Sequence, residues 1–262
     1  RNVLESLLAE LPRHLVCEID IFLVELCRIT VLWEEQWGSA LQEIQHDLMR
    51  KCVMLQEDAI RTMESDTITE AQKFEISTNK YAAVMAPTLA LLDKRTRSTW
   101  RSTETPHEED FAKKYWQICK EAMESLKNPD DPTKPSDAVA GLRTIYQQIS
   151  NEMKTQKSIE LSDIAPRLHS LKREASIPMP GRNTISGFGR HHSSYNSLNE
   201  ILLRSSSDDT CSIAAFVEDV SILPTKTRPK RMDFVGSNGI TFTYLLKGRE
   251  DLRLDERLMQ LL

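Results

Sequence analysis

Apolar residues recur at three- and four-residue steps through most of the first 170 positions, which is the period of a helix with one buried face. Leu4, Leu7, Leu8 and Leu11 mark one such face, ended by Pro12, and a second helix is predicted from near His14 to the Trp33–Trp37 region. From Val31 the pattern predicts four helices of a compact bundle. Leu41, Ile44, Leu48, Cys52 and Leu55 form the stripe of the first, and Phe74, Tyr81, Met85, Leu89 and Leu92 that of the second. Pro87 is expected to bend or loosen the second helix, because proline lacks the amide and crowds the preceding turn. Thr105-Pro106-His107-Glu108 offers a hydroxyl cap, a proline at the first helical position and a carboxylate at the third. Phe111, Tyr115, Ile118, Ala122 and Leu126 continue that third helix. After a proline-broken loop from Asn128 to Pro135, Ser136 is positioned to cap a fourth, with Val139, Leu142, Ile145, Ile149 and Met153 as its stripe.

The pattern then changes. Leu161, Ile164, Leu168 and Leu171 predict a short helix interrupted by Pro166, and Pro178–Asp209, rich in serine, reads as a flexible insertion. Within it, Tyr195, Leu198, Ile201 and Leu202 have the spacing of one helical turn, and Arg204 before Ser205-Ser206-Ser207 is a candidate phosphorylation motif. Six of the eight glycines fall at or after Gly181, so the last part is expected to hold turns and strands. Val217–Leu223, Met232–Val235 and Ile240–Leu246 are the predicted strands, with Gly236-Ser237-Asn238-Gly239 as a tight hairpin. Helical character returns from Asp251 to Leu262. The predicted fold class is therefore α+β.

Composition narrows the function classes. Hydrophobic residues make up 40% and charged residues 28% of the 262, which excludes a wholly disordered chain. The densest apolar stretch, Ile19–Trp33, is broken by Asp20, Glu25 and Arg28, so no membrane association is expected. A net charge of -5 argues against a broad basic face, so direct nucleic-acid binding is not expected. Five cysteines without a CxxC pair fit reduced, mostly buried thiols, and the histidines lack zinc-ligand spacing; no metal site is predicted. Arg1 at the start, and an apolar helical pattern running to Leu262, lead us to expect a piece of a longer chain.

Candidate chemistry concentrates near the end. Thr225-Lys226-Thr227-Arg228-Pro229-Lys230-Arg231 is a hydroxyl and cation cluster between two strands, and Lys247 projects an ammonium from a strand end. Glu250, Asp251, Asp255 and Glu256 follow, and Asp251 and Asp255 share a helical face. Phosphoryl transfer needs a cation on the phosphates and an acid that holds that cation in place. Neither a Walker pattern nor GxGxxG is present. A charged strand-to-helix junction with no chemistry accounts for the same residues.

The segment Leu223-Pro-Thr-Lys-Thr-Arg-Pro-Lys-Arg231, then Gly236-Ser-Asn-Gly239, then Leu245 to Gln260, resembles the small lobe of phosphatidylinositol-3-kinase-related protein kinases. Leu32-Trp33-Glu34-Glu35-Gln36-Trp37 resembles the opening of that family's rapamycin-binding-like bundle, and Arg1–Arg28 the last helices of its helical-repeat region. The resemblance implies residues 1–30 as the end of that region, 31–158 as a four-helix bundle, 159–216 as a linker helix and serine-rich insertion, and 217–262 as the start of a truncated small lobe. Ile222–Thr227, Leu252–Glu256 and Glu104–Glu108 are most similar to the branch serving nonsense-mediated mRNA decay. The insertion between Gly181 and Val217 is longer than that family's usual connection.

Position by position, the resemblance assigns Lys247 to the nucleotide phosphates, Asp255 to the acid that supports it, and Glu250 to an acidic position nearby. It assigns Leu223 and Leu245 to the adenine surroundings and Thr225 and Lys226 to the phosphate-proximal loop. ATP with Mg2+ or Mn2+ is the implied cofactor, with the metal ligands and the catalytic aspartate beyond Leu262. It further implies transfer to Ser/Thr-Gln sites of an RNA-helicase substrate, two adaptor subunits, and a cytoplasmic location with nuclear presence allowed. The bundle is expected to gate protein substrates, with its tryptophans and Tyr115 as candidate contacts. A target-of-rapamycin-type kinase and a catalytically dead helical scaffold are the alternative readings.

Overall fold

The computed structural model describes residues 12–171, 177–181, 211–248 and 253. The elements in chain order are α1 (Arg13–Thr30), α2 (Trp33–Met63), α3 (Glu70–Trp100), α4 (Pro106–Lys127), α5 (Pro135–Thr155), β1 (Ser158–Glu160), α6 (Leu161–Ile164), α7 (Pro166–His169), β2 (Ile213–Phe216), β3 (Asp219–Ile222), β4 (Lys230–Gly236) and β5 (Thr241–Leu246). The chain divides into two compact units: Leu32–Gln156, and a discontinuous unit made of Arg1–Val31 with Lys157–Leu262. This is an α+β chain, as the pattern predicts. The leucine repeat at positions 4–11, the 195–202 turn, the Arg204 serine motif and the helix from Asp251 lie outside the described residues, save Arg253 alone.

The unit Leu32–Gln156 is a four-helix bundle, α2 to α5. The α2 stripe is buried throughout, and it packs on Tyr81, Met85 and Leu92 of α3, Tyr115 and Leu126 of α4, and Leu142, Ile145 and Ile149 of α5. Burial of aliphatic and aromatic side chains on this scale is the main driving force for the bundle. Tyr81 is almost wholly buried, and its hydroxyl donates 2.8 Å to the Leu126 carbonyl near the end of α4. That carbonyl is among the last four of its helix, which have no intrahelical partner. Gly141 of α5 lets the helices meet closely, since a Cβ there would lie 2.9 Å from the Ala122 Cβ of α4. A Cβ at Gly38 of α2 would lie 2.9 Å from the Met153 Cε, so the start of α2 lies beside the end of α5.

Helix α3 continues past Pro87, which is exposed, so the carbonyl deprived of an amide faces water. Two local expectations are corrected. Phe74 does not join the core but is 52% exposed, because the buried face of α3 runs through Lys73, Ser77, Tyr81, Met85, Thr88, Leu92 and Thr96. Lys73 takes the inward position, donating 2.8 Å to the Met63 carbonyl across the α2–α3 turn and 2.8 Å to Glu70 on its own helix. Ser136 is not a cap: Lys134 occupies that place, and α5 begins at Pro135 without a side-chain hydrogen bond. The α4 start does follow its sequence. Thr105 Oγ1 accepts from the Glu108 amide at 3.2 Å, and Glu108 reaches back to the Glu104 amide at 2.8 Å.

The discontinuous unit is built on a five-stranded antiparallel sheet. β4 is its spine: β5 pairs along one edge from Lys230↔Leu246 to Val235↔Thr241, while β3 and β2 share the other edge. β1 flanks β3 through Ser158↔Ser221. The predicted strands 217–223, 232–235 and 240–246 correspond to β3, β4 and β5, whereas β1 and β2 are additional. The predicted hairpin joins β4 to β5, with Gly239 at φ 76°, a conformation glycine adopts without a Cβ penalty. Alternation puts Lys230, Met232 and Phe234 of β4 on the buried face. There Phe22 of α1 lies 6.1 Å from both Phe216, stacked, and Phe234, edge-on, and Phe234 lies 4.6 Å from Tyr244. Pro166 divides the predicted short helix into α6 and α7.

Candidate functional site

The strand pairing brings the sequence-predicted residues of this region to one end of the sheet. Leu223 follows β3, and its amide donates 3.0 Å to the Pro229 carbonyl, so the ladder closes the base of the 223–229 loop. Within the loop the Arg228 amide donates 3.2 Å to the Thr225 carbonyl, and Arg228 sits at φ 49°. A left-handed non-glycine residue is strained by roughly 1–2 kcal/mol, so this tight loop is held by its closed base and flanking prolines rather than by glycine. Thr225 and Lys226 stand exposed on it. At the same end, Arg231 pairs with Leu245 and Lys230 with Leu246, and Lys247 comes next.

The faces are set by the same alternation. Residues 230 and 246 point to the core, so Arg231, Leu245 and, one residue past β3, Leu223 lie on the other face. Leu245 is 46% exposed there, Leu223 and Lys247 are half-buried, and Asp233 accepts 2.6 Å from Thr243 farther along. The face thus joins an apolar patch to a loop carrying a hydroxyl and an ammonium. Among the described residues no three His, Cys, Asp or Glu side chains gather to hold a metal ion. Glu250 and Asp255 lie outside the described residues.

One member of the cation cluster is displaced from its expected role. Lys230 is fully buried, and its Nζ donates 3.3 Å to the Thr30 carbonyl at the end of α1. A cation at a helix C-terminus meets the negative end of the dipole and an orphan carbonyl. The sequence signal for this was the strand period itself, which puts Lys230 in phase with Met232 and Phe234. Nearby, Glu218 receives the Ser162 amide at 2.8 Å and faces His169 Nδ1 at 2.7 Å. The Ser162 bonds and the neighbouring imidazole hold its carboxyl below the ordinary value.

In the bundle, Trp37 contacts Trp100 at 5.0 Å between centroids, Trp100 contacts Trp116 at 5.3 Å, and Phe111 contacts Tyr115 at 4.7 Å. Both Trp37 and Tyr115 are buried, so they support this cluster from within rather than touching a partner. Burial, with the Glu152 and Glu34 carboxylates nearby, pushes the Tyr115 phenol far above its usual range. Trp116 is the exposed member, with Trp33 and Trp100 half-buried. The bundle also holds a cavity of about 160 Å³ lined by Asp130, Asp131, Lys134 and Asp137. Among the described residues no helix is long and apolar enough to cross a membrane.

The chain is a distant homologue of protein kinases of the phosphatidylinositol-3-kinase-related class. The serine/threonine-protein kinase SMG1 of Danio rerio is 30% identical over 250 residues, covering 95% of this chain and 6% of that protein. The probable serine/threonine-protein kinase smg1 of Dictyostelium discoideum is 31% identical over 277 residues, covering 100% and 11% respectively. The serine/threonine-protein kinase mTor of Drosophila melanogaster is 28% identical over 271 residues, covering 100% and 9%. The chain therefore spans between 6% and 11% of the length of these relatives, and the similarity extends to more than one branch of the class. No protein-family model matches it.

Proposed function

We propose that this chain contributes a substrate-gating helical bundle and part of the ATP site to a serine/threonine protein kinase of mRNA surveillance. The observation that carries the reading is the juxtaposition of Leu223, Leu245, Lys247 and the Thr225–Lys226 loop at one sheet end. Lys247 neutralises phosphate charge, and the loop's hydroxyl, cation and backbone amides hold phosphate oxygens where glycines do so in other nucleotide sites. Leu223 and Leu245 offer an apolar platform for the base. Bound ATP supplies the transferable phosphoryl group; Glu250 and Asp255 are the proposed acids that orient Lys247. An RNA helicase phosphorylated at Ser/Thr-Gln sites is the proposed substrate, and two adaptor subunits and a cytoplasmic location, with nuclear presence allowed, complete the reading.

The test is ATP-dependent labelling of a helicase peptide carrying Ser-Gln, beside one carrying Ser-Ala, by the full-length protein and its Lys247→Met variant. Labelling of the Ser-Gln peptide alone, lost in the variant, is the expected result; equal labelling by the variant removes Lys247 from the site. Similarity to the mTor relative favours a second reading, a target-of-rapamycin-type kinase. Capture of the 262-residue chain by a rapamycin complex distinguishes it. A protein that neither binds ATP nor labels either peptide fits the scaffold reading.

A further inference from the structure

The residue after Lys247 is a glycine with no room for a side chain. A Cβ at Gly248 would lie 2.6 Å from Val31 Cγ2, 2.8 Å from Thr30 Cγ2 and 3.1 Å from the Thr30 carbonyl oxygen. Bonded carbon atoms aside, separations below about 3 Å do not occur without displacement, since the attractive optimum lies near 3.5–4.0 Å. The end of β5 is therefore pressed directly on the C-terminal turn of α1. The same turn receives the buried Lys230 ammonium through the Thr30 carbonyl, and Lys230 is the cross-strand partner of Leu246. Thr30 is itself anchored, its hydroxyl donating 2.5 Å to the Leu26 carbonyl one turn earlier.

We infer that the α1 C-terminus is the positioning device for Lys247: Thr30 and Val31 seat Gly248, Lys230 ties the adjoining strand to the same turn, and the lysine between Leu246 and Gly248 is thereby aimed at the opposite face. The phase supports this. Leu246 lies on the core face, and the Cβ direction of Gly248 meets α1 on that face too. In an extended chain the residue between them projects the other way, towards the side that carries Leu245. Thr30, Val31, Lys230 and Gly248 are positioning residues, acting on ligand only through Lys247. A methyl group at position 248 has three obstacles, one of them backbone, so it shifts the strand end and with it the ammonium.

This inference rests on the proposed role of Lys247 at nucleotide phosphates, and the experiment separates the two. ATP affinity is measured directly by calorimetry on the full-length protein, with KM for ATP and kcat determined alongside and a thermal melt confirming the fold of each variant. Gly248→Ala is expected to weaken ATP binding by about tenfold or more, because a misplacement near 1 Å is costly at a pre-organised site. Adding Thr30→Ser and Val31→Ala, which remove the two methyl obstacles, is expected to recover most of the loss, an outcome a general loss of stability does not give. Lys230→Met, which adds no volume, is expected to raise KM for ATP and decides the matter if Gly248→Ala does not fold. Wild-type affinity in any folded Gly248→Ala or Lys230→Met variant, beside lost affinity in Lys247→Met, overturns the positioning role and leaves the site intact. Unchanged affinity in Lys247→Met overturns the site itself and the inference with it.

Discussion

Replacing Tyr81 by phenylalanine isolates a single hydrogen bond in the bundle core. The ring keeps its volume, so the packing of α3 on α4 is preserved and no cavity opens. What is lost is the 2.8 Å bond to the Leu126 carbonyl, an end-of-helix acceptor in a fully buried residue. Stranding a buried acceptor costs about 1–3 kcal/mol, and we expect a loss of about 2. All four tryptophans, at positions 33, 37, 100 and 116, belong to the bundle, so their fluorescence in urea follows this unit alone. With a denaturant slope of roughly 2 kcal/mol/M, the midpoint should fall by about 1 M. The pH dependence gives a second check. Burial raises the Tyr81 phenol from 10.0 to about 12, so the unfolded chain loses its proton first. The stability carried by the neutral phenol is complete below pH 10 and is lost as pH rises towards 12. The difference between wild type and Tyr81→Phe should narrow over that interval. An unchanged midpoint at neutral pH, or a difference that stays constant to pH 12, refutes the reasoning.

Three further outcomes follow from the packing. Gly141→Ala gains about 1 kcal/mol of helix propensity but drives a Cβ into Ala122, where overpacking costs about 1–3 kcal/mol, so a net loss is expected in the same urea assay. Adding Ala122→Gly should restore part of it; a stabilised Gly141→Ala single variant contradicts the close approach. Glu218→Gln removes a carboxylate whose protonation is depressed in the folded chain, so wild type should hold its advantage above pH 4.5 and lose it on acidification below that value, read by thermal melts between pH 3 and 7. Burial raises the Cys52 thiol and pushes Cys119 up to about 12, while Cys17 and Cys27 are exposed. Brief iodoacetamide treatment should modify Cys17 and Cys27 and spare Cys52 and Cys119 until urea is added, as mapped by mass spectrometry; early modification of Cys119 contradicts the burial.

Periodicity located the bundle because leucine, isoleucine and tyrosine at helical steps leave one way to bury them. In α3 it placed Tyr81, Met85, Leu89 and Leu92 correctly and misplaced only Phe74, at the end of the helix where buried lysine and serine replace apolar residues and the stripe loses its contrast. The strands of the hairpin were legible from glycine, asparagine and alternation. β1 and β2 were not, being three and four residues long and stabilised by partners more than fifteen residues away in sequence. The proposed site residues could be named from sequence only as residue types. That Leu223 and Leu245 share a face required the register of β3 on β4 and β4 on β5. Lys230 shows the limit most clearly: a lysine in a cationic turn reads as solvated, and only its strand phase, joined to an orphan carbonyl of a distant helix, draws it inside.

The discontinuous unit has a consequence for how the chain comes together. Helix α1 is synthesised well before the strands it covers, and the whole bundle lies between Val31 and Lys157. An unfolded segment of that length would impose a substantial loop-closure entropy on joining α1 to the sheet. The start of α2 and the end of α5 lie side by side through Gly38 and Met153, so a folded bundle returns the chain close to where it departed. A bundle that has already folded therefore shortens the loop that has to be closed, and the entropic cost of bringing Phe22 to Phe216 and Phe234 falls with it.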